Sequence, residues 1–167
     1  AVLHEEILKG LDELFGALEQ SRQSEGDALT NVLNAQIEEV ENLCQKANGF
    51  AALLPDKINT RLHQQVAELC AVVPALPEER LAQETAMLML KTDVREELDR
   101  LRAHVIAARD LMMTGGAIGR QFDFLCQELN REANTLCSKS ADVELTRVGL
   151  VLKTVIDQIR EQVQNVE

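Results

Sequence analysis

Tryptophan and tyrosine are absent from the 167 residues, and phenylalanine occurs only four times. RNA-binding platforms of the sheet type stack bases on exposed aromatic side chains, so this scarcity excludes one. Glycine and proline are also sparse, at eight and three. All-β sandwiches and barrels need turn residues roughly every 8–12 positions. Doubly wound α/β folds need glycine-rich strand-to-helix turns. The chain supplies neither. Its four cysteines, Cys44, Cys70, Cys126 and Cys137, form no CxxC pair, and there are only three histidines. A structural zinc site is therefore not expected. Scattered thiols of this kind fit a reduced interior. No apolar run reaches the ~18 residues of a membrane-spanning helix, and no signal-peptide pattern is present. The expectation is a cytoplasmic chain with no membrane partner. The helical pattern has begun by Leu3, directly after a non-methionine start, which reads as a piece of something longer.

Basic residues are the minority as well: 17 against 28 acids, for a net charge of -11. Such a chain does not attract nucleic acid by bulk electrostatics. The excess is uneven. Residues 1–50 hold ten acids and three bases, 51–114 hold ten and eight, and 115–167 hold eight and six. A polyanion would bind in the later segments or on a part not present in this chain.

What is present is helical periodicity almost throughout. Leu3, Ile7, Leu11, Leu14 and Leu18 form a first stripe, followed by a polar break at Gln20–Gly26. Leu29, Leu33, Ile37, Val40, Cys44, Ala47, Ala51, Leu54 and Ile58 then alternate steps of 3 and 4. That repeat keeps one seam facing a partner helix. Leu62, Val66 and Leu69 continue it past Pro55, which either kinks the helix or starts a new one. Two prolines in Val73-Pro74-Ala75-Leu76-Pro77 mark a reversal, and Glu78 and Glu79 suit the helix start that follows. A helix is expected over 78–113, with seam Val94, Leu98, Leu101, Val105, Ala108 and Met112. Gly115 and Gly116 end it. Further helices are expected over 117–134 and 143–164, separated by a loop at Ser138–Asp142. The last has the seam Leu145, Val148, Leu152, Val155, Ile159 and Val163. The resulting expectation is one all-α region over 1–167. A long antiparallel hairpin (27–113, turning near 73–77) stands on a compact helical base (3–20 and 115–167).

Two constellations carry chemistry. Asp93, Glu97, Arg100 and His104 step by 4, 3 and 4 along one stripe beside the seam. Solvated charges flanking a seam are the simpler reading of that spacing. Carboxylates with a histidine also suit a divalent cation or proton transfer. The second is the polar segment 119–135. Arg120, Asp123, Gln127, Arg131 and Asn134 share a face there, with Phe124, Glu128 and Thr135 beside it. Guanidinium forks suit phosphates, amides suit base edges and carboxylates suit metal. An internally paired helix is the plain alternative. Gly115–Arg120 lacks the Lys-Ser/Thr of a phosphate loop, so no nucleotide cofactor is expected and a hinge or helix cap fits better.

The stretches GRQFDFLCQELNREANTLCSKS (119–140), VREELDRLRAH (94–104) and DQIREQVQNVE (157–167) resemble the C-terminal motifs of the bacterial YicC-like endoribonuclease family. SRQSEGDAL (21–29) also fits, and the resemblance runs from about residue 3 to 167. Cys137 departs mildly, standing where relatives carry a small residue. The resemblance implies a metal-dependent endoribonuclease that assembles as a ring, a hexamer at full length, with a further N-terminal α/β domain. It points to Glu97, Arg100 and His104 on one helix, and to Asp123, Gln127, Glu128, Arg131, Glu132 and Asn134 on the next. Lys139 becomes a phosphate contact. On chemical grounds His104, Glu97 and Glu128 are the expected catalytic residues. Glu97, Asp123, Glu128 and Glu132 are the expected ligands of Mg²⁺ or Mn²⁺. Arg100, Arg120, Gln127, Arg131, Asn134 and Lys139 are expected to hold RNA. The rival expectation is a non-catalytic oligomerisation or adaptor module that docks RNA or protein.

Overall fold

The computed structural model describes residues 2–70 and 78–164, with side chains over 3–68 and 82–164. Five helices follow in order: α1 Val2–Cys70, α2 Glu78–Lys91, α3 Arg95–Thr114, α4 Gly119–Lys139 and α5 Val143–Val163. No strand occurs among the described residues, as the all-α expectation requires. The reversal expected at 73–77 lies outside them. The chain divides into two units, residues 1–35 and residues 36–167.

Residues 1–35 are helical throughout the described part, so the polar break expected at Gln20–Gly26 does not interrupt the helix. The polar side chains there staple successive turns instead. Ser21 Oγ donates to Glu25 at 3.3 Å and Gln23 Nε2 to Asp27 at 3.0 Å. Such i, i+4 pairs support an exposed helix. Leu3, Ile7, Leu11, Leu14 and Leu18, with Leu8 and Phe15 beside them, are solvent-exposed.

In the second unit the seams are buried as the spacing demands. Ile37, Val40, Cys44, Ala47, Leu54 and Ile58 of α1 are buried, as are Val94, Leu98, Leu101, Val105 and Ala108 along α3. Glu41 pairs with Arg109 at 2.5 Å. Ala51, Pro55 and Ile58 share a pocket wall with Met89, Asp93 and Val94. Numbers rising along α1 thus meet numbers falling towards α2, which makes the hairpin antiparallel. Pro55 lies inside α1 rather than starting a new helix.

The helix expected over 78–113 is broken at Thr92–Val94. Thr92 Oγ1 closes the end of α2 on Leu88 O at 2.8 Å. The Asp93 carboxylate accepts the Arg95 backbone N–H at 3.0 Å and starts α3. A short acidic side chain competes in this way with the helical ladder. Gly115 (φ 68°) and Gly116 (φ 83°) end α3 in the left-handed region that favours glycine.

Helices α4 and α5 complete the base, α4 packing against both α3 and α5. The helix expected to stop at 134 runs on to Lys139 because its apolar face continues to Leu136, which is fully buried. Asp142 starts α5, accepting from the Glu144 and Leu145 backbone N–H groups, and binds Lys57 of α1 at 2.5 Å.

Candidate active site

Helix α4 carries most of the candidate residues, and its geometry sorts them. At about 100° per residue, Phe122, Leu125, Cys126, Leu129, Ala133 and Leu136 gather on one buried arc. The remaining arc is polar and continuous. Glu132, Lys139 and Glu128 lie on the flank facing α3, then Thr135 and Arg131, then Gln127, Asn134, Asp123 and Asn130 on the flank facing α5.

The α3 flank brings the two sequence constellations together. Glu97 and Glu132 are the buried charged residues among those described, at 3% and 4% exposure. Each is matched across the helix pair. Lys139 Nζ donates to Glu97 Oε1 at 2.6 Å, and Arg100 Nη1 donates to Glu132 Oε1 at 3.3 Å. Arg100 also binds Glu96 one turn back on α3. The hydrogen bond to Glu97 raises the Lys139 pKa and keeps the ammonium charged. Glu97 Oε2 is buried with no hydrogen-bond partner among the described residues. An acceptor left in that state is costly, and functional sites are where such a cost is tolerated.

His104 follows Arg100 by one turn and is half-buried. The register that sets Glu97 against Lys139 and Arg100 against Glu132 puts His104 level with Glu128. Glu128 is also half-buried, and it binds Arg131 at 2.8 Å. Asp93 lies before α3, not on the stripe with Glu97, Arg100 and His104. Lys139 is the last residue of α4 and not part of a loop.

The expected metal set does not converge. Asp123 stands about 140° around α4 from Glu128. It faces α5, where it accepts from Arg160 Nε at 2.8 Å and from Gln127 Nε2 at 2.7 Å. Glu97, Glu128 and Glu132 are bound to Lys139, Arg131 and Arg100. Divalent cations want several oxygens around one point. Among the described residues no group of three potential ligands shares one. Glu97, Asp123, Glu128 and Glu132, held in four separate ion pairs, do not fit a self-contained Mg²⁺ or Mn²⁺ site.

Of the expected RNA contacts, Arg120 is exposed at the start of α4, and Gln127, Arg131 and Asn134 line its outer face. Sequence reasoning missed their α5 partners. Asn130 donates to Asp157 at 2.7 Å, and Arg160 holds Asp123. Lys153, Asp157 and Arg160 step by 4 and 3 beside the α5 seam, a signal that was readable. Burial pushes the thiols of Cys44 and Cys126 up to about 11 and about 12. They are protonated at neutral pH and are not nucleophiles.

A family model described as "Endoribonuclease YicC-like, C-terminal" matches residues 47–167, the stretch that holds every candidate residue. The "Probable endoribonuclease YicC" of Haemophilus influenzae is 34% identical over 165 residues, covering 99% of this chain and 56% of the relative. The protein of the same name from Clostridioides difficile is 31% identical over 159 residues, covering 95% and 54%. The chain thus spans about half the length of these curated relatives.

Proposed function

The chain belongs to the YicC-like endoribonuclease family, and from that membership we propose that it is the part of an RNA-cutting enzyme that carries the reacting groups, along the packed seam of α3 and α4. The observation that carries this reading is the pair of facing contacts Glu97–Lys139 and Arg100–Glu132, whose register, continued one turn, sets His104 level with Glu128. It gathers an imidazole, a half-buried carboxylate and two cations on one packed helix pair.

Lys139 and Arg100 hold the non-bridging oxygens of the scissile phosphate and offset charge as it builds. Their carboxylate partners Glu97 and Glu132 keep both side chains extended along the seam. His104 and Glu128 supply proton transfer. One of them takes the proton of the ribose 2′-hydroxyl, whose oxygen attacks phosphorus. The bond to the 5′-oxygen breaks, and the other group protonates that leaving oxygen. The products are a 2′,3′-cyclic phosphate and a free 5′-hydroxyl. No step runs through a metal, because the carboxylates do not converge on one. Mass spectrometry of the product ends, with and without EDTA, tests this: cyclic phosphate in both samples is expected. A 5′-phosphate that forms only with Mg²⁺ or Mn²⁺ would overturn the mechanism.

A second reading concerns assembly. The exposed stripe Leu3, Ile7, Leu11, Leu14 and Leu18 supports self-association through residues 1–35. Under it, Leu11→Glu with Leu14→Glu lowers the sedimenting mass of the full-length protein; an unchanged mass would reject it.

A further inference from the structure

On the far flank of α4 a groove of about 430 Å³ runs between α4 and α5, lined by Gln127, Asn130, Arg131, Asn134, Thr135 and Arg160. Its amides are pinned in one sense. Gln127 Nε2 donates to Asp123 at 2.7 Å, Asn130 Nδ2 to Asp157 at 2.7 Å, and Asn134 Nδ2 to Asn130 Oδ1 at 3.4 Å. Each amide therefore turns its N–H side towards an oxygen of the protein. Gln127 Oε1 and Asn134 Oδ1 are left without a donor among the described residues. The two guanidinium groups, Arg131 and Arg160, are matched by Glu128 and Asp123. With Asp157 counted, three carboxylates stand beside two guanidinium groups, so the groove has no excess of positive charge and is polar and rich in acceptors.

We infer that this groove is a nucleobase subsite that holds unpaired RNA bases carrying an exocyclic amino group, so adenine, cytosine or guanine rather than uracil. The inference rests on the endoribonuclease reading and extends it to substrate class. An exocyclic amino group offers two N–H bonds to two acceptors, whereas uracil offers only its N3–H, flanked by two carbonyl oxygens that repel acceptors. Pairing occupies those amino groups in a duplex, whose deep, narrow major groove admits no side chain. A site without excess positive charge in a chain of net charge -11 discriminates through hydrogen bonds and not through phosphate attraction. The continuous polar arc of α4 gives the backbone a route past Arg131 and Thr135 to the α3–α4 seam. Asn130 and Arg160 act as positioning residues, fixing Asn134 and Asp123.

The test is fluorescence anisotropy with the full-length protein and short homopolymers of 2′-O-methyl A, C and U, which lack the hydroxyl that cleavage uses. Wild type is expected to bind A and C about fivefold more tightly than U, a gap on the scale of one or two hydrogen bonds. Asn134→Ala and Gln127→Ala, both surface changes, are expected to bring that ratio to within about twofold. Arg147→Ala, on the outer face of α5, should leave it alone. A wild type without base preference, or a preference that survives in both variants, would overturn the inference. Cleavage of unmodified RNA is followed in parallel. Intact cleavage with no base preference sinks the groove alone, and preserved preference without cleavage sinks the endoribonuclease reading alone.

Discussion

At the scale of single residues, the buried carboxylates are the most informative feature. Glu97 is nearly inaccessible, and its lysine partner is about one-third exposed. A buried ion pair adds little net stability, but breaking it by removing one partner leaves an uncompensated charge. Lys139→Met is therefore expected to lower unfolding free energy by about 2 kcal/mol, the partial exposure of the site keeping it below the full buried value. The double variant Glu97→Leu with Lys139→Met is expected to recover most of that loss in urea unfolding and still fail to cut RNA. A stable double variant with normal cleavage would reduce the pair to scaffolding. Asp93 tests the electrostatics from another side. Hydrogen bonds from the Arg95 side chain and backbone hold its pKa down to about 2, from an ordinary 3.8. A carboxylate depressed on folding contributes stability above its unfolded pKa and loses that contribution as pH falls through the folded one. Its effect belongs between about pH 4 and pH 2, and it is small because the pair is exposed. Carbon-detected NMR titration is expected to show the midpoint near 2, moving toward 3.8 in Arg95→Ala.

At the scale of elements, the closest packing is between α4 and α5. A Cβ built on Gly149 would sit 2.4 Å from Cys137 Sγ and 3.1 Å from Leu136 Cδ2. Helix propensity alone would make Gly149→Ala stabilising by about 1 kcal/mol. Overpacking costs about 1–3 kcal/mol and wins. The net expectation is a loss of about 1 kcal/mol, reversing to a gain when Cys137→Ala is added; additivity of the two changes would contradict the contact. Cys137 is thus accommodated by a glycine on the facing helix. The seams of α1, α3 and α5 were legible in sequence because burial repeats at 3.5–3.6 residues. The break at Thr92–Val94 was not legible, since Asp93 fits the charged stripe as well as it fits a helix start. The end of α4 was missed because Ser138 and Ser140 read as a loop while Leu136 was already holding another turn. The facing charged residues of α3 and α4 were readable from Glu97, Arg100 and Glu132. The separation of Asp123 from them was not, because it depends on which neighbour α4 turns each flank towards.

At the scale of the whole molecule, one helix serves two neighbours. Helix α4 presents carboxylates, a lysine and the level of His104 to α3, and amides to α5, on a single uninterrupted polar arc. Among the described residues no helix is long and apolar enough to cross a membrane. With a net charge of -11, this chain offers RNA placed groups and not a basic field, so under the proposed function cutting depends sharply on few side chains. The most direct test is single-turnover cleavage of a 5′-labelled RNA by the full-length protein beside His104→Ala, Glu128→Gln and the surface control Arg147→Ala. The account predicts a rate loss of about 10²–10⁴-fold in the first two, with unchanged helicity and an unaffected control. Wild-type rates in both His104→Ala and Glu128→Gln would contradict it, and would move the chemistry away from the α3–α4 seam.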